Sequence, residues 1–359
     1  MRIAIVTDAW LPQTNGVVTT LQNTALNLRK FGHEVEMITP EGLRTVPCPT
    51  YPEIRLAVFP RSVVNRRIDA FNPDALHIAT EGPLGNAARA YAISRGRSFT
   101  SSYHTQFPEY ISARFPIPAG VVYTYLRCFH SRATHVLVGT EEMRRDLRLR
   151  GFRRVVPWTR GVDTDRFAPS ARLRGGNRPT LLYVGRVAIE KGVEDFCRVD
   201  MDARKVVVGD GPQLAGLRAR YPEVEFLGFR YGDALVAAYQ EADCFVFPSR
   251  TDTFGLVMLE AMACGLPVAA YPVTGPIDVV RHGTTGWLSH DLRESIVGAL
   301  AMDPADCRAQ ALEFSWEASA RQFESHLVPF RTLTARRAAK RRATNQGASA
   351  TSQVRPRNF

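Results

Sequence analysis

Residues 247–271, FPSRTDTFGLVMLEAMACGLPVAAY, decide how the rest of the chain is interpreted. The run that leads into them, 243–247 (DCFVF), has the pattern of a buried strand. A short apolar helix is predicted from Phe254, and Gly265 is a stop signal at its end. A second apolar run, 267–271, completes a strand–helix–strand unit. Such a unit predicts a parallel sheet that binds ligands at the carboxyl ends of its strands.

Two acids stand out within this stretch, Asp252 and Glu260. Asp252 lies just before the predicted helix, where it acts either as an N-cap or as a ligand-binding group; a cap of this kind stabilises a helix by about 0.5–2 kcal/mol. Glu260 lies inside an otherwise apolar helix, and an unpaired buried carboxylate is very costly. It therefore needs hydrogen-bond donors, which either a structural partner such as a buried Arg or the hydroxyls of a bound sugar or ribose would supply.

A second motif lies upstream, where a predicted strand at 180–184 is followed by GRVAIEKG at 185–192. A strand, a glycine turn and two nearby cations, Arg186 and Lys191, suit a diphosphate, since Arg offers bidentate geometry and Lys a point charge. The alternative for these residues is an ordinary solvated turn.

Together the two stretches resemble the donor-site signature of retaining, nucleotide-sugar-dependent glycosyltransferases of the GT-B fold, in their large fourth sequence family. That signature has two acids eight residues apart flanking F-G-L-V; its first acid is usually Glu, whereas here it is Asp252. The sequence T-D-T-F-G at 251–255 resembles that of the subgroup that contains sulfoquinovosyl-diacylglycerol synthases and related lipid mannosyl- and glucosyltransferases. The resemblance spans residues 1–330.

The resemblance implies a role for each site residue. Arg186 and Lys191 match the diphosphate-binding pair, Asp252 is expected at the sugar-ring hydroxyls and Glu260 at the ribose. His104, in SSYHTQFPEY after a strand, matches a histidine that positions the donor sugar, although a hydrogen-bonded structural histidine is the alternative. The predicted catalytic set is therefore His104, Arg186, Lys191 and Asp252. Further donor-binding residues are expected to be Gly16 of the first loop, Phe254, the backbone around Gly255, Leu256 and Val257, and Arg230 in the loop that borders the base.

The expected fold is α/β, with two Rossmann-like, doubly wound domains that face each other across a cleft. At the N-terminus, strand 2–7, helix 18–31 and strand 34–39 form a βαβ unit. Further strands of the same sheet are predicted near 54–58, 74–78, 98–102 and 134–138. The predicted limits are an acceptor domain at 1–165, a linker at 166–179, a nucleotide-sugar domain at 180–312, a helix crossing back at 313–335 and a disordered basic tail at 336–359.

Charge and composition narrow the function classes. The net charge is +11, yet the chain from Arg331 onward carries eight of the 46 Lys and Arg residues and no acid. The remaining 38 basic against 35 acidic residues, with no aromatic-basic recognition motif, disfavour a nucleic-acid partner. The tail cations instead favour an anionic membrane surface. No apolar run reaches 18 residues, so no membrane-spanning segment is expected. The N-terminal run is expected to be the first strand and not a signal peptide. The six scattered cysteines are interpreted as reduced core thiols of a cytoplasmic protein.

Neither a cofactor nor a metal is expected. The first loop has no G-x-G-x-x-G for a dinucleotide. The acid pairs Asp163/Asp165 and Asp200/Asp202 match the metal-binding pair of another glycosyltransferase fold only superficially, and the GT-B fold needs no metal.

The predicted reaction is therefore retaining transfer of a hexosyl group from a UDP- or GDP-sugar to a hydroxyl acceptor. The subgroup favours a membrane lipid such as diacylglycerol, with the enzyme peripheral at the inner face of the cytoplasmic membrane. The alternatives are a polysaccharide or small-molecule acceptor and a GT-B-fold nucleotide-sugar epimerase. No second, nucleophilic carboxylate is evident in the sequence of the acceptor domain. Double displacement is therefore not supported, and the family's proposed front-face attack is expected.

Overall fold

The computed structural model describes residues 1–13, 15–48, 51–104, 107–112, 116–170 and 178–330. Its N-terminal strands are β1 (Arg2–Val6), β2 (Glu34–Ile38), β3 (Thr45–Cys48), β4 (Tyr51–Ala57), β5 (Ala75–Ile78), β6 (Thr100–Tyr103), β7 (Val136–Val138) and β8 (Val155–Pro157). The helices between them are α1 (Gly16–Lys30), α2 (Arg61–Phe71), α3 (Pro83–Ser94), α4 (Phe107–Ser112), α5 (Ala119–His130) and α6 (Glu141–Leu149).

The C-terminal strands are β9 (Thr180–Val184), β10 (Arg204–Val208), β11 (Glu225–Gly228), β12 (Cys244–Phe247), β13 (Val268–Ala270) and β14 (Gly286–Leu288). The helices that accompany them are a 3-10 turn (Ile189–Lys191), α7 (Val193–Arg198), α8 (Leu214–Arg220), α9 (Asp233–Gln240), α10 (Leu256–Ala263), α11 (Pro276–Val279), α12 (Leu292–Leu300) and α13 (Pro304–Leu312). A last helix, α14 (Trp316–His326), follows them.

Two six-stranded parallel sheets organise these elements, in the orders β2-β1-β5-β6-β7-β8 and β11-β10-β9-β12-β13-β14. In each sheet the strands that follow the first one, β1 or β9, are added first on one side of it and then on the other side. This reversal of the strand order is typical of doubly wound folds. Successive residues of β1 enter two different cores, Ile3 and Ile5 on one face and Ala4 and Val6 on the other.

Both faces of the sheets are covered, which is why β1, β9 and β12 are mostly apolar runs. The buried strand β6 (TSSY) is an exception, and its Thr100 and Ser102 are hydrogen-bonded to His77 of β5. The predicted pair of doubly wound domains is confirmed.

The prediction that a strand near 54–58 belongs to the parallel sheet is wrong. Those residues form β4, which pairs antiparallel with β3 as a separate two-stranded ribbon. Parallel neighbours need a crossover of a dozen or more residues. Because β3 ends at 48 and β4 begins at 51, the chain has room only for a hairpin.

Helix α14 packs on the N-terminal sheet. Its Phe323 lies in the same core as Ile3 and Ile5. Ser319 donates a hydrogen bond from its hydroxyl to the carbonyl of Thr159 (2.7 Å). After the helix, the N–H of Phe330 donates to the carbonyl of Asp74 (2.7 Å). The residues after the second sheet therefore contact the first domain. The exact limits predicted for the domains and the linker stay predictions. The basic tail, 336–359, lies outside the described residues.

Four of the six cysteines are buried, Cys197, Cys244, Cys264 and Cys307. Cys48 is only partly buried, and Cys128 is exposed on α5, so the prediction of core thiols does not hold for those two. Within the described ranges, no helix is long and apolar enough to cross a bilayer.

Candidate functional site

The site forms where two loops of the C-terminal domain touch. Gly192, with φ +63°, follows the 3-10 turn, and a Cβ on it would lie 2.5 Å from the carbonyl oxygen of Pro248. No side chain fits at that distance, so glycine allows the loop after β9 to pack directly on the loop after β12. The hydroxyls of Ser249 and Thr251 both donate to the carbonyl of Glu190 (3.3 and 3.2 Å) and hold the loops together.

This contact brings the cation motif to the first acid of the signature. Lys191 Nζ donates to Asp252 Oδ1 at 2.5 Å, and the two side chains are 22% and 17% exposed. The second carboxylate oxygen, Asp252 Oδ2, is buried and makes no hydrogen bond within the described part of the chain. A buried carboxylate oxygen normally accepts hydrogen bonds, so Oδ2 has capacity for a hydroxyl donor.

The alternative that Asp252 caps the following helix is wrong. Helix α10 begins at Leu256, two residues later than expected, and its N-cap is Gly255. Gly255 has φ +83°, and a Cβ there would lie 2.7 Å from Met258 Cε. The first N–H groups of an α-helix have no partner within the helix, so the backbone at Leu256 and Val257 can face an anion.

Glu260, on α10, is partly buried and accepts a hydrogen bond from the Tyr239 hydroxyl (2.8 Å). Burial raises the pKa of Glu260, while the Tyr239 hydrogen bond and the charge of Arg166 act in the opposite direction. The structural partner is thus a tyrosine of α9 and not the arginine considered as an alternative. Tyr239 was missed because a buried tyrosine in an apolar helix has the same pattern as an ordinary core residue.

His104 lies directly after β6 and touches both domains. Its backbone carbonyl accepts from the Thr253 hydroxyl (2.6 Å), in the loop that carries Asp252. Its ring nitrogen Nδ1 faces a guanidinium nitrogen of Arg160 at 3.2 Å, and Nε2 is buried without a partner in the described ranges. Burial, with smaller effects from Arg160 and His77, lowers the pKa of His104 well below its ordinary value. The ring is therefore neutral at physiological pH.

The first loop of the N-terminal domain also reaches this cleft. Gly16 begins α1 behind an Asn15 N-cap, and a Cβ on it would lie 3.4 Å from Leu256 Cδ1. The start of α1 thus faces the start of α10. On the same side, Phe254 is buried, and a Cβ on Gly139 of the N-terminal domain would lie 3.4 Å from its ring.

Two further predicted residues, Arg186 and Arg230, lie in loops of the C-terminal domain. Arg186 follows β9 and is partly buried, and its carbonyl accepts from the Tyr183 hydroxyl (2.8 Å). Arg230 is exposed, and its guanidinium donates to the neighbouring Phe229 carbonyl (3.2 Å). The structure therefore brings His104, Lys191 and Asp252 to one cleft, while Arg230 shows no contact with them.

Asp8, two residues after the end of β1, is a buried acid that the sequence analysis did not single out. Its carboxylate accepts from the N–H of Leu84 and the hydroxyl of Thr80, both at 2.8 Å, at the start of α3. Burial raises the pKa of Asp8 to about 6 against the lowering effect of these hydrogen bonds. Its position after an apolar run was the available signal, because strand ends in such sheets carry site residues.

Known sequence families match both domains. The profile described as "Glycosyltransferase Family 4" matches residues 14–166, and "Glycosyl transferases group 1" matches residues 178–302. A GDP-mannose-dependent alpha-mannosyltransferase of Mycobacterium tuberculosis is 34% identical over 315 residues, 80% of this chain and 83% of that protein.

Two further relatives fit the subgroup. The sulfoquinovosyl transferase SQD2 of Arabidopsis thaliana is 33% identical over 310 residues, covering 76% of this chain and 60% of that protein. An alpha-monoglucosyldiacylglycerol synthase of Streptococcus pneumoniae is 26% identical over 378 residues, covering 92% and 85%.

Solved structures share the fold. Sucrose-phosphate synthase from Thermosynechococcus elongatus superposes with a TM-score of 0.72 at 21% identity, over 93% of this chain and 99% of that one. These matches agree with the two parallel sheets and the cleft described above. The chain therefore belongs to glycosyltransferase family 4 within the group 1 glycosyl transferases, and it is a hexosyltransferase of GT-B fold that uses a nucleotide sugar.

Proposed function

We propose that this enzyme transfers a hexosyl group, with retention, from a nucleoside diphosphate sugar to a hydroxyl of a membrane lipid such as diacylglycerol. One observation carries the proposal: Lys191 contacts Asp252 at 2.5 Å, and Thr253, in the same loop as Asp252, donates a hydrogen bond to the backbone carbonyl of His104 in the other domain. One cleft thereby gathers a cation, a neutral histidine and an acid with one oxygen that has no partner among the described residues.

The donor would lie along the C-terminal domain. Lys191 and Arg186 offset the charge that develops on the leaving diphosphate, an electrostatic effect that is usually a large part of catalysis. The start of α10 at Leu256 adds backbone N–H groups. Asp252 Oδ2 accepts from the sugar ring, and Glu260, held by the Tyr239 hydroxyl, accepts from the ribose.

Retention by front-face attack is supported by the hydrogen bonding of two carboxylates in the N-terminal domain. The two carboxylates that follow β1 and β5 are already engaged: Asp8 with Thr80 and Leu84, and Glu81 with His130 at 3.1 Å. Neither is placed as a free nucleophile for double displacement. The leaving phosphate itself would then accept the acceptor's proton.

A lipid acceptor is supported by the relative named for diacylglycerol and by apolar side chains on α5. Val121 and Tyr125 of that helix are 61% and 48% exposed. The helix also carries Arg127 in its last turn, so apolar and cationic groups lie on one element. A polysaccharide or small-molecule acceptor, or an epimerase reaction, would be recognised by the following test.

The function is tested by incubating the protein with radiolabelled GDP-mannose or UDP-glucose and vesicles containing diacylglycerol. We expect a labelled lipid whose glycosidic carbon keeps the α configuration of the donor, as determined by NMR of the product. A β linkage would contradict retention, and transfer only to soluble sugars would contradict the lipid acceptor. Conversion of the donor without any acceptor would instead indicate an epimerase.

Lys191→Ala and Arg186→Ala should each lower kcat at least about a hundredfold while the protein stays folded, because each removes a cation from the diphosphate. The double variant should lose less than the product of the two single losses, since both cations act on one group. Initial rates with saturating donor measure this. Lys30→Ala, at an exposed position on α1, is the matched control and should retain full activity. Near-normal activity in either site variant would refute the assignment.

The basic tail should promote membrane binding, since each cation near an anionic surface contributes on the order of 1 kcal/mol and the attraction decays within a Debye length. Truncation after Ala335 removes seven of the eight tail cations and leaves α14 intact. Flotation with anionic vesicles at low and high salt is the measurement. We expect the full chain to float and to dissociate with salt, and the truncated chain to bind less. Equal behaviour of both chains would rule out the tail as a membrane anchor.

A further inference from the structure

A buried cation lies beside His104 that neither the motif nor the proposed donor contacts account for. Arg160 is 4% exposed, and in the described part of the chain no carboxylate pairs with it. Burial lowers the pKa of Arg160 to about 9, so it remains charged at neutral pH. An arginine buried without an acid is unusual and requires other polar contacts.

Those contacts hold the guanidinium in one orientation. One terminal nitrogen donates to the Trp158 carbonyl at 2.6 Å, and the guanidinium stacks over the Trp158 ring with its central carbon 4.4 Å from the ring centroid. The next residue, Gly161, packs against the start of α14, where a Cβ would lie 2.4 Å from the Trp316 nitrogen. The backbone is thus confined as well as the side chain.

The other terminal nitrogen of Arg160 lies 3.2 Å from His104 Nδ1. A guanidinium only donates hydrogen bonds, so Nδ1 must accept and cannot carry a proton. In a neutral imidazole the proton then resides on Nε2, the nitrogen that is buried without a partner among the described residues. Among the described residues, the titratable groups that act on the charge of the ring are Arg160 and the buried, neutral His77.

We propose that Arg160 is a positioning residue that fixes His104 in the Nε2–H tautomer, so that the ring presents a hydrogen-bond donor to an oxygen of the donor sugar. The contact to the sugar rests on the proposed function, whereas the tautomer does not. The wrong tautomer would turn a lone pair toward the same position, and a sugar hydroxyl would have to reorient to donate to it. Arg160 thereby acts through His104 without touching the substrate.

The tautomer is read directly by NMR of protein labelled with 15N-histidine, because a protonated and an unprotonated ring nitrogen differ widely in chemical shift. The His104 signals are assigned by their loss in His104→Gln. We expect wild-type His104 to show an unprotonated Nδ1 and a protonated Nε2 at pH 7.5. A protonated Nδ1 in the wild-type protein would overturn the proposal without any variant.

Two variants separate the hydrogen bond from packing. Arg160→Leu removes the donor and should populate the Nδ1–H form and lower kcat/KM for the intact donor at least about tenfold, the effect of losing a hydrogen bond to a charged group. Binding of the free nucleoside diphosphate should not change. Arg160→Gln keeps an N–H donor and should retain the Nε2–H tautomer and more of the activity.

A folded Arg160→Leu protein with unchanged tautomer and unchanged kcat/KM would overturn the proposal. If Arg160→Leu does not fold, as judged by circular dichroism, the wild-type and Arg160→Gln spectra decide the question alone. A wild-type protein that shows the expected tautomer but transfers no hexose would refute the proposed function while supporting the Arg160–His104 assignment.

Discussion

The carbonyl oxygen of Pro248 lies so close to Gly192 that the loops after β9 and β12 pack backbone against backbone, and the site depends on this contact. It places Lys191 and Asp252 within ion-pair distance although they are 61 residues apart in sequence. Both are mostly buried, and a buried charge that loses its partner is strongly destabilising. The ion pair therefore offsets the burial of both charges, while Asp252 Oδ2 keeps its capacity to accept a hydrogen bond.

A second set of contacts connects the C-terminal domain to the N-terminal one. Thr253 donates to the His104 carbonyl, and the N–H of Glu142, in the first turn of α6, donates to Asp278 of α11 (3.1 Å). Gly16 of the N-terminal domain also lies against Leu256 of the C-terminal domain. The Thr253 hydrogen bond holds the loop that carries Asp252 against the backbone of His104. A sugar bound at Asp252, as proposed, would therefore lie close to a histidine that belongs to the other domain.

Sequence alone predicted those features that arise from local pattern. Apolar runs predicted strands such as β1, β9 and β12, and the resemblance to the family's motifs singled out Arg186, Lys191 and Asp252. Features set by tertiary packing were missed. The β3–β4 ribbon was taken for a sheet strand because its composition resembles one, and Tyr239 and Arg160 acquire their roles only through partners 21 and 56 residues away. The environment of Asp8 was missed for the same reason, because its hydrogen-bond donors Thr80 and Leu84 lie after β5 and at the start of α3, more than 70 residues away.

The proposed donor site has a sugar end at Asp252 and a ribose end at Glu260. Isothermal titration calorimetry of the Asp252→Asn and Glu260→Gln variants, with a free nucleoside diphosphate and with the intact nucleotide sugar, tests this arrangement most directly. We expect Glu260→Gln to weaken binding of the free nucleotide about tenfold, as for a lost hydrogen bond to a charged group. Asp252→Asn should weaken mainly binding of the intact donor. Equal losses of affinity for the free nucleotide in both variants would contradict this arrangement.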